Sequence, residues 1–146
     1  MSGPSLFSND ALKPALRSLL SKVDGRALRL EIHARELVLQ AEDVKASGTV
    51  LEYHYREGKL GEAEHASLRG KGELKDNLFD LAQVKLTALP ELAAEAIRRV
   101  DAEEGHVDHV LVRRNLPESD EVRIRVYVAS PRQSGHLDAD DQGRPL

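Results

Sequence analysis

The residues of this chain best suited to recognition chemistry are arginines in its last third. They are Arg113, Arg114, Arg123, Arg125 and Arg132. A guanidinium group holds several N–H donors in one plane, which suits the oxygens of a carboxylate or a phosphate. Arg123 and Arg125 are two residues apart, so a strand through them places both side chains on one face. If this strand pairs with the one before it, the arginines gather on the solvent face of a sheet and are predicted to bind an anion or an acidic partner.

The same arginines also fit a solvated face that binds nothing. In that alternative, carboxylates on neighbouring strands balance their charge, and Glu31, Glu52 and Glu121 are the candidates. Both interpretations place the arginines at the surface and differ in whether a partner binds there.

Six histidines are the candidates for metal ligands. They are His33, His54, His65, His106, His109 and His136. His106 and His109 form the only close pair, but residues three apart in a strand are expected on opposite faces. A metal site completed by His136 and Asp138 is the alternative, and the three earlier histidines could fall on neighbouring strands. The sequence predicts surface or partly buried histidines, with no metal and no cofactor.

The sequence contains no catalytic signature. It has no Gly-x-Ser-x-Gly elbow, no phosphate-binding glycine loop and no cysteine. Residues 138–143 (DADDQG) partly match a calcium-binding loop, but that pattern needs further ligands and a glutamate beyond the glycine. We expect these carboxylates to accept hydrogen bonds from turn N–H groups instead. The chain is therefore predicted not to be an enzyme.

Composition narrows the kinds of partner. A net charge of −4 with 32% charged residues is unlike the strongly basic surface of a nucleic-acid-binding protein. Only 3% of the residues are aromatic, so stacking platforms for single strands are not expected either. No apolar stretch approaches the roughly 20 residues of a membrane span, and the start does not resemble a signal peptide. We expect a cytoplasmic protein that binds another protein, unless the chain is an excised envelope domain, and the oligomeric state is left open.

A helix and a meander of strands are predicted for the first half. Apolar residues at helical spacing follow Ser8, a suitable N-cap, and Asp24-Gly25 ends the helix. Alternating residues predict strands at 28–32, 37–41 and 49–57, with a weaker strand at 60–68. Residues 69–76 contain two glycines and many charges and are predicted to be a linker. Residues 77–86 are predicted to be extended.

The second half repeats this order. Thr87 is the expected N-cap of a helix whose apolar stripe ends at Val100, and Gly105 marks its exit. Strands are predicted at 109–114, 121–129 and 135–139. The strand at 121–129 is the clearest in the chain, because Val122, Ile124, Val126 and Val128 occupy every second position.

The two halves predict a pseudo-duplicated domain. Residues 8–68 and 87–146 each give a helix followed by three strands, and residues 69–86 cross between them. Residues 1–146 are therefore predicted to form a single α+β domain, with two helices packed on one face of a curved antiparallel β-sheet.

The order of elements in the second half resembles PepSY-like and β-lactamase-inhibitor-protein-like domains. The resemblance is carried by the helix at 89–101, the strands at 107–114 and 122–128, and the closing segment 135–143 (GHLDADDQG). The first half resembles a more divergent copy, without the matching aspartate. The resemblance implies a small α+β domain without enzymatic activity, which inhibits or assists proteases or binds partners at the cell envelope.

Two functions follow from these observations. The first is a protein-interaction or inhibitory module that uses the exposed sheet face and its arginines. The alternative is a carrier of a small ligand or an anion, with a pocket between helix and sheet. A small hydrolase is not favoured, because the sequence offers no nucleophile–base pair.

Overall fold

Alternating apolar and polar residues form an antiparallel sheet in the computed structural model. The structure describes residues 5–23, 26–43, 45, 49–66, 77–115 and 118–146. Within these ranges the strands are β1 (Arg26–Ile32), β2 (Glu36–Glu42), β3 (Val50–Arg56), β4 (Lys59–Leu60), β5 (Glu64–Ala66), β6 (Phe79–Asp80), β7 (His106–Arg114), β8 (Val122–Ala129) and β9 (Ser134–Ala139). The order across the sheet is β4-β3-β2-β1-β7-β8-β9, with β5 beside β3 and β6 beside β1. Every pairing between these strands is antiparallel.

Two helices cover one face of this curved sheet, as predicted. They are α1 (Asn9–Leu20) and α2 (Leu89–Asp101). The apolar stripes of the helices and the alternate residues of the strands bury each other in one core. Its largest fully buried side chains include Leu12, Leu19, Leu30, Ile32, Leu37, Leu39, Leu89, Ile124 and Val126. The predicted α+β fold class is therefore confirmed.

A central pair of strands, one from each half of the chain, connects the two halves of the sheet. β1 pairs with β7 through Leu30 and Val112, Glu31 and Leu111, and Ile32 and Val110. Each helix precedes three consecutive strands, and β1 and β7 are the first strands of the two sets. The internal repeat over residues 8–68 and 87–146 stays a prediction, because this order of elements does not test common sequence descent.

Several local predictions need correction. The strand expected at 60–68 is two short strands, β4 and β5, which both pair with β3. The segment expected to be extended at 77–86 contains β6 and two 3-10 turns, Leu81–Gln83 and Leu86–Ala88. Asp80 favours the first turn, because its carboxylate accepts a hydrogen bond from the backbone N–H of Ala82. Thr87 lies inside the second turn, and Ala88 takes the N-cap position of α2.

Other local predictions have different outcomes. Ser8 is the N-cap residue of α1, but its hydroxyl donates to the carbonyl of Ser5 and does not cap the helix. The linker predicted at 69–76 and the helix stop at residues 24–25 lie outside the described residues. Neither α1 nor α2 has the length and hydropathy that a membrane-spanning helix requires.

A β-bulge overturns the prediction for the histidine pair. In the ladder between β7 and β8, His106 pairs with Ala129 and His109 with Tyr127, and the register shifts between Val107 and His109. The extra residue lets both histidines oppose positions that are two apart on β8, so they lie on the same face. Residues three apart share a face here because the strand is not regular.

Candidate binding surface on the open face of the sheet

The sheet face opposite the helices, called the open face below, carries the polar residues of the long strands. The inward positions of β1, β2, β7 and β8 are buried, and their neighbours in sequence are mostly half-buried or exposed. This is the alternation expected for an antiparallel sheet with one covered face. The open face is therefore where the chain exposes polar side chains of these strands.

Aromatic rings form a continuous row across the open face. The row consists of His33, His109, Tyr127 and His136 and is called the ring row below. The ring centroids of His33 and His109 are 5.5 Å apart, and those of His109 and Tyr127 are 4.3 Å apart at an interplanar angle of 18°. Tyr127 and His136 lie 5.9 Å apart with tilted rings. The row runs from the residue after β1 across β7, β8 and β9.

Strand register creates the ring row. His109 is paired directly with Tyr127, and Tyr127 with His136. The Glu31 and Leu111 pair sets the register of β1 against β7 and brings His33 beside His109. The bulge in β7 matters here, because it sets which residues of β7 share the face of Tyr127.

Arg125 lies beside the ring row in an ion pair that is internal to the protein. Its Nε and Nη2 donate to the two carboxylate oxygens of Asp138 at 2.6 and 3.1 Å, and its Cζ lies 6.0 Å from the centre of the Tyr127 ring. The hydrogen bonds from Arg125 hold the pKa of Asp138 below its usual range, and the same pairing raises the pKa of Arg125. Arg125 is therefore already occupied.

Arg113 and Arg123 are two further cations of this face. They are direct cross-strand partners in β7 and β8. Among the described residues neither forms an ion pair with a carboxylate, and the buried Nε of Arg123 has no hydrogen-bond partner. Arg113 is exposed and Arg123 is half-buried. Like charges placed directly opposite each other in a sheet destabilise it, so these two guanidinium groups repel each other.

The structure separates the other two predicted arginines from this surface. Arg114 lies at the end of β7 and donates to the carbonyl oxygens of Leu78 and Asp120 at 2.7 and 2.5 Å. Arg132 binds the buried carboxylate of Asp101 with two hydrogen bonds of 2.5 and 3.1 Å. The prediction that all five arginines gather on the sheet face is wrong for Arg114 and Arg132, because internal acceptors hold both.

Sequence reasoning missed the ring row and the role of Asp101. A signal for the row is present in β8, where Tyr127 occupies a polar-face position between Val126 and Val128. The contact with His33 had no local signal, because it depends on a pairing between distant strands. Asp101 is the last residue of α2. It is 4% exposed and accepts hydrogen bonds from the backbone N–H groups of Glu103 and Glu104.

The carboxylate of Asp140 binds the backbone of the turn after β9. One carboxylate oxygen of Asp140 accepts hydrogen bonds from the backbone N–H groups of Gln142 and Arg144 at 3.0 and 2.9 Å. These bonds lower the pKa of Asp140, with the bond from Arg144 contributing most. The prediction that the carboxylates of residues 138–143 serve the turn backbone is therefore confirmed for Asp140 and wrong for Asp138, whose two oxygens accept hydrogen bonds from Arg125.

Comparisons with known proteins identify no relative of this chain. The chain matches no protein-family model, and neither the curated proteins nor the solved structures give a match. The resemblance to PepSY-like and β-lactamase-inhibitor-protein-like domains therefore stays a prediction based on the order of helix and strands.

Proposed function

We propose that this protein is a non-enzymatic interaction module that binds an acidic segment of another protein on its open face. The observation that carries the proposal is the direct pairing of Arg113 with Arg123, without an acidic partner among the described residues. Asp138 is the carboxylate that interacts electrostatically with Arg123, but both of its oxygens are bound to Arg125. A carboxylate from outside would relieve the repulsion between the two arginines.

The ring row supports a peptide as the occupant. Flat rings give contact area at a small cost in side-chain entropy, and residues of this kind are common at the centre of interfaces. The row runs next to Arg125 and across β7 and β8, the two strands that carry Arg113 and Arg123. The pair of Arg113 and Arg123 lies four residues along β7 and β8 from the pair of His109 and Tyr127. An acidic segment that runs along these two strands could therefore bind both features. The resemblance of the second half to PepSY-like and β-lactamase-inhibitor-protein-like domains implies a protein-binding role, which agrees with this proposal.

The proposal is tested with a variant that combines Arg113→Glu and Arg123→Glu. The probe is a ten-residue peptide of alternating glutamate and valine, and a lysine–valine peptide serves as the probe of opposite charge. We expect the wild-type protein to bind the acidic peptide, with amide NMR shifts concentrated in β7 and β8. The variant should bind it at least tenfold more weakly, a loss of about 1.4 kcal/mol or more, because the new glutamates repel the acidic peptide.

A control variant with the same change of charge separates local binding from the total charge. Arg17→Glu with Lys22→Glu alters two exposed cations of the helical side, and we expect it to bind the acidic peptide almost as the wild type does. Arg125 is left unchanged, because its removal would leave Asp138 without its partner. Equal weakening in both variants, or equal binding of the two peptides, would contradict the proposal.

A cleft on the helical side supports a second candidate function, the carriage of a small ligand. The cleft has a volume of about 190 Å³ and is lined by Asn9, Leu12, Lys13, Leu16, Leu20, Leu81, Ala82, Val84, Leu86 and Thr87. The Nδ2 of Asn9 donates to the carbonyl of Thr87, but its buried Oδ1 accepts no hydrogen bond. An apolar ring that carries one donor would fill the cleft and satisfy this oxygen.

Phenol and toluene are matched probes for this cleft. They have the same number of non-hydrogen atoms and differ in the hydroxyl donor. If the cleft carries such ligands, phenol should raise the melting temperature more than toluene does at equal concentration, because a ligand that binds only the folded state stabilises it. A larger effect of toluene, or no effect of either compound, would count against a carrier.

A further inference from the structure

A second group of chemically active side chains lies at the opposite edge of the open face. Glu52 and His54 are two residues apart in β3 and share a face, and Glu64 of β5 is the direct cross-strand partner of Glu52. One ligand atom from each of these three side chains lies within 4.8 Å of the other two. Glu52 and His54 are half-buried, and Glu64 is exposed.

His54 lies between two carboxylates, and a neutral imidazole cannot satisfy both. Its Nε2 is 2.8 Å from the Oε2 of Glu52, and its Nδ1 is 3.6 Å from the Oε2 of Glu36. A neutral imidazole has one N–H donor and one lone pair, so one nitrogen must face a carboxylate without a proton. The Nδ1 atom is buried and has no hydrogen-bond partner. A cation bound at one nitrogen would resolve this conflict.

The surrounding side chains hold these groups in place. Gln40 donates from Nε2 to the Oε1 of Glu52 at 2.9 Å, and Arg56 donates to Glu36. With a metal at Nε2, the Nδ1 proton of His54 would point toward Glu36. That is the carboxylate–histidine–metal arrangement that fixes the tautomer in known sites.

We infer that Glu52, His54 and Glu64 form a binding site for a divalent transition-metal ion such as Zn²⁺. One imidazole nitrogen and carboxylate oxygens, without sulfur, suit Zn²⁺ and its divalent neighbours. Donors about 2.1 Å from a tetrahedral metal are roughly 3.4 Å apart, so rotation of the side chains can close the observed cluster on an ion.

The site opens onto a cleft that leaves room for further ligands of the metal. The cleft has a volume of about 500 Å³ and is lined by His54, Arg56, Lys59, Gly61, Glu62 and Glu64. Among the described residues around the cluster, the four carboxylates of Glu36, Glu52, Glu62 and Glu64 outnumber the three cations Arg29, Arg56 and Lys59. The local charge thus favours a cation, although the protein's overall charge is only −4.

The test is calorimetric titration of the protein with zinc chloride at neutral pH, after removal of metal by a chelator. We expect one zinc ion to bind per chain with micromolar affinity. His54→Gln and Glu64→Gln should each weaken binding at least tenfold, and Glu36→Gln should weaken it less, as is typical of a residue that acts through a ligand. Circular dichroism verifies that each variant is folded, which is expected for Glu64→Gln because this side chain is exposed.

His65→Gln provides the matched control. His65 follows Glu64 in β5, pairs with Leu51 and lies on the opposite face of the strand. Its substitution removes a histidine from the same short strand and should leave zinc affinity unchanged. Absence of binding up to about 1 mM zinc, the weak end of specific affinities, would overturn the inference. So would unchanged affinity in both His54→Gln and Glu64→Gln.

Discussion

Replacing Gly143 by alanine is expected to lower the free energy of unfolding by about 2–5 kcal/mol. Gly143 has φ +81°, a left-handed conformation that is unfavourable for residues with a side chain. A Cβ at this position would also overlap the Cβ of Ala88, at the start of α2. The two effects add, because relaxing the backbone of the turn does not move Ala88, which the adjoining helix holds.

Urea denaturation of two further variants separates the two contributions. Gly58 has φ +77° and open space where its Cβ would lie, so Gly58→Ala should cost only the conformational part, about 1–2 kcal/mol. Ala88→Gly should restore part of the loss when it is combined with Gly143→Ala, because it removes the overlapping methyl group. A loss in Gly143→Ala no larger than that in Gly58→Ala would show that the overlap is relieved without cost.

Replacing Asp101 by asparagine is expected to lower the melting temperature by several degrees at neutral pH and to make stability less sensitive to acid. Asp101 ends α2, is almost fully buried, and accepts two hydrogen bonds from Arg132. These bonds hold the pKa of Asp101 well below its usual range. Asparagine keeps the shape and an acceptor for the backbone N–H groups of Glu103 and Glu104, but it loses the charge that binds the guanidinium.

The direction of the pH dependence follows from the lowered pKa. Because the folded protein binds the proton of Asp101 less tightly than the unfolded chain does, the ionised carboxylate stabilises the fold above about pH 4. This contribution is lost as the pH falls through about 4 toward the folded-state pKa. Urea midpoints of the wild type and Asp101→Asn should therefore differ at pH 7 and converge toward about pH 2.

Glu103 provides the control for Asp101. It also lies within reach of Arg132, at 3.7 Å, but its side chain is 81% exposed. Glu103→Gln should change the melting temperature little, since exposed ion pairs contribute about 0–1 kcal/mol. A constant difference between wild type and Asp101→Asn at all pH values would contradict the assignment, because it would reflect packing and not charge.

The helices and strands that could be predicted from the sequence are those in which the spacing of apolar residues matches the buried positions. Val122, Ile124, Val126 and Val128 alternate because every second residue of β8 faces the helices, and the stripe of α2 follows the same logic. Two helices and long alternating strands then leave few ways to bury their apolar faces, so the α+β fold with one open face follows.

The composition of the candidate sites could not be predicted, because it depends on pairings between distant residues. No residue pattern near Arg132 in the sequence indicates that its guanidinium binds Asp101. The ring row requires the register of β1 against β7, and a bulge near Asp108 changes which residues share a face. The proposed metal site could not be predicted for a related reason. Glu64 pairs with Glu52 because the strand expected at 60–68 is in fact two short strands, β4 and β5.

The central pairing of β1 with β7 also has a consequence for synthesis on the ribosome. Val112 follows its partner Leu30 by 82 residues along the chain. At a typical elongation rate this interval lasts roughly 4–16 s. During that time most of one edge of β1, which will become the middle of the sheet, has unpaired N–H and C=O groups beside apolar side chains. Such an edge can pair with another nascent chain, so the interval before β7 emerges is when the protein is most exposed to misassembly.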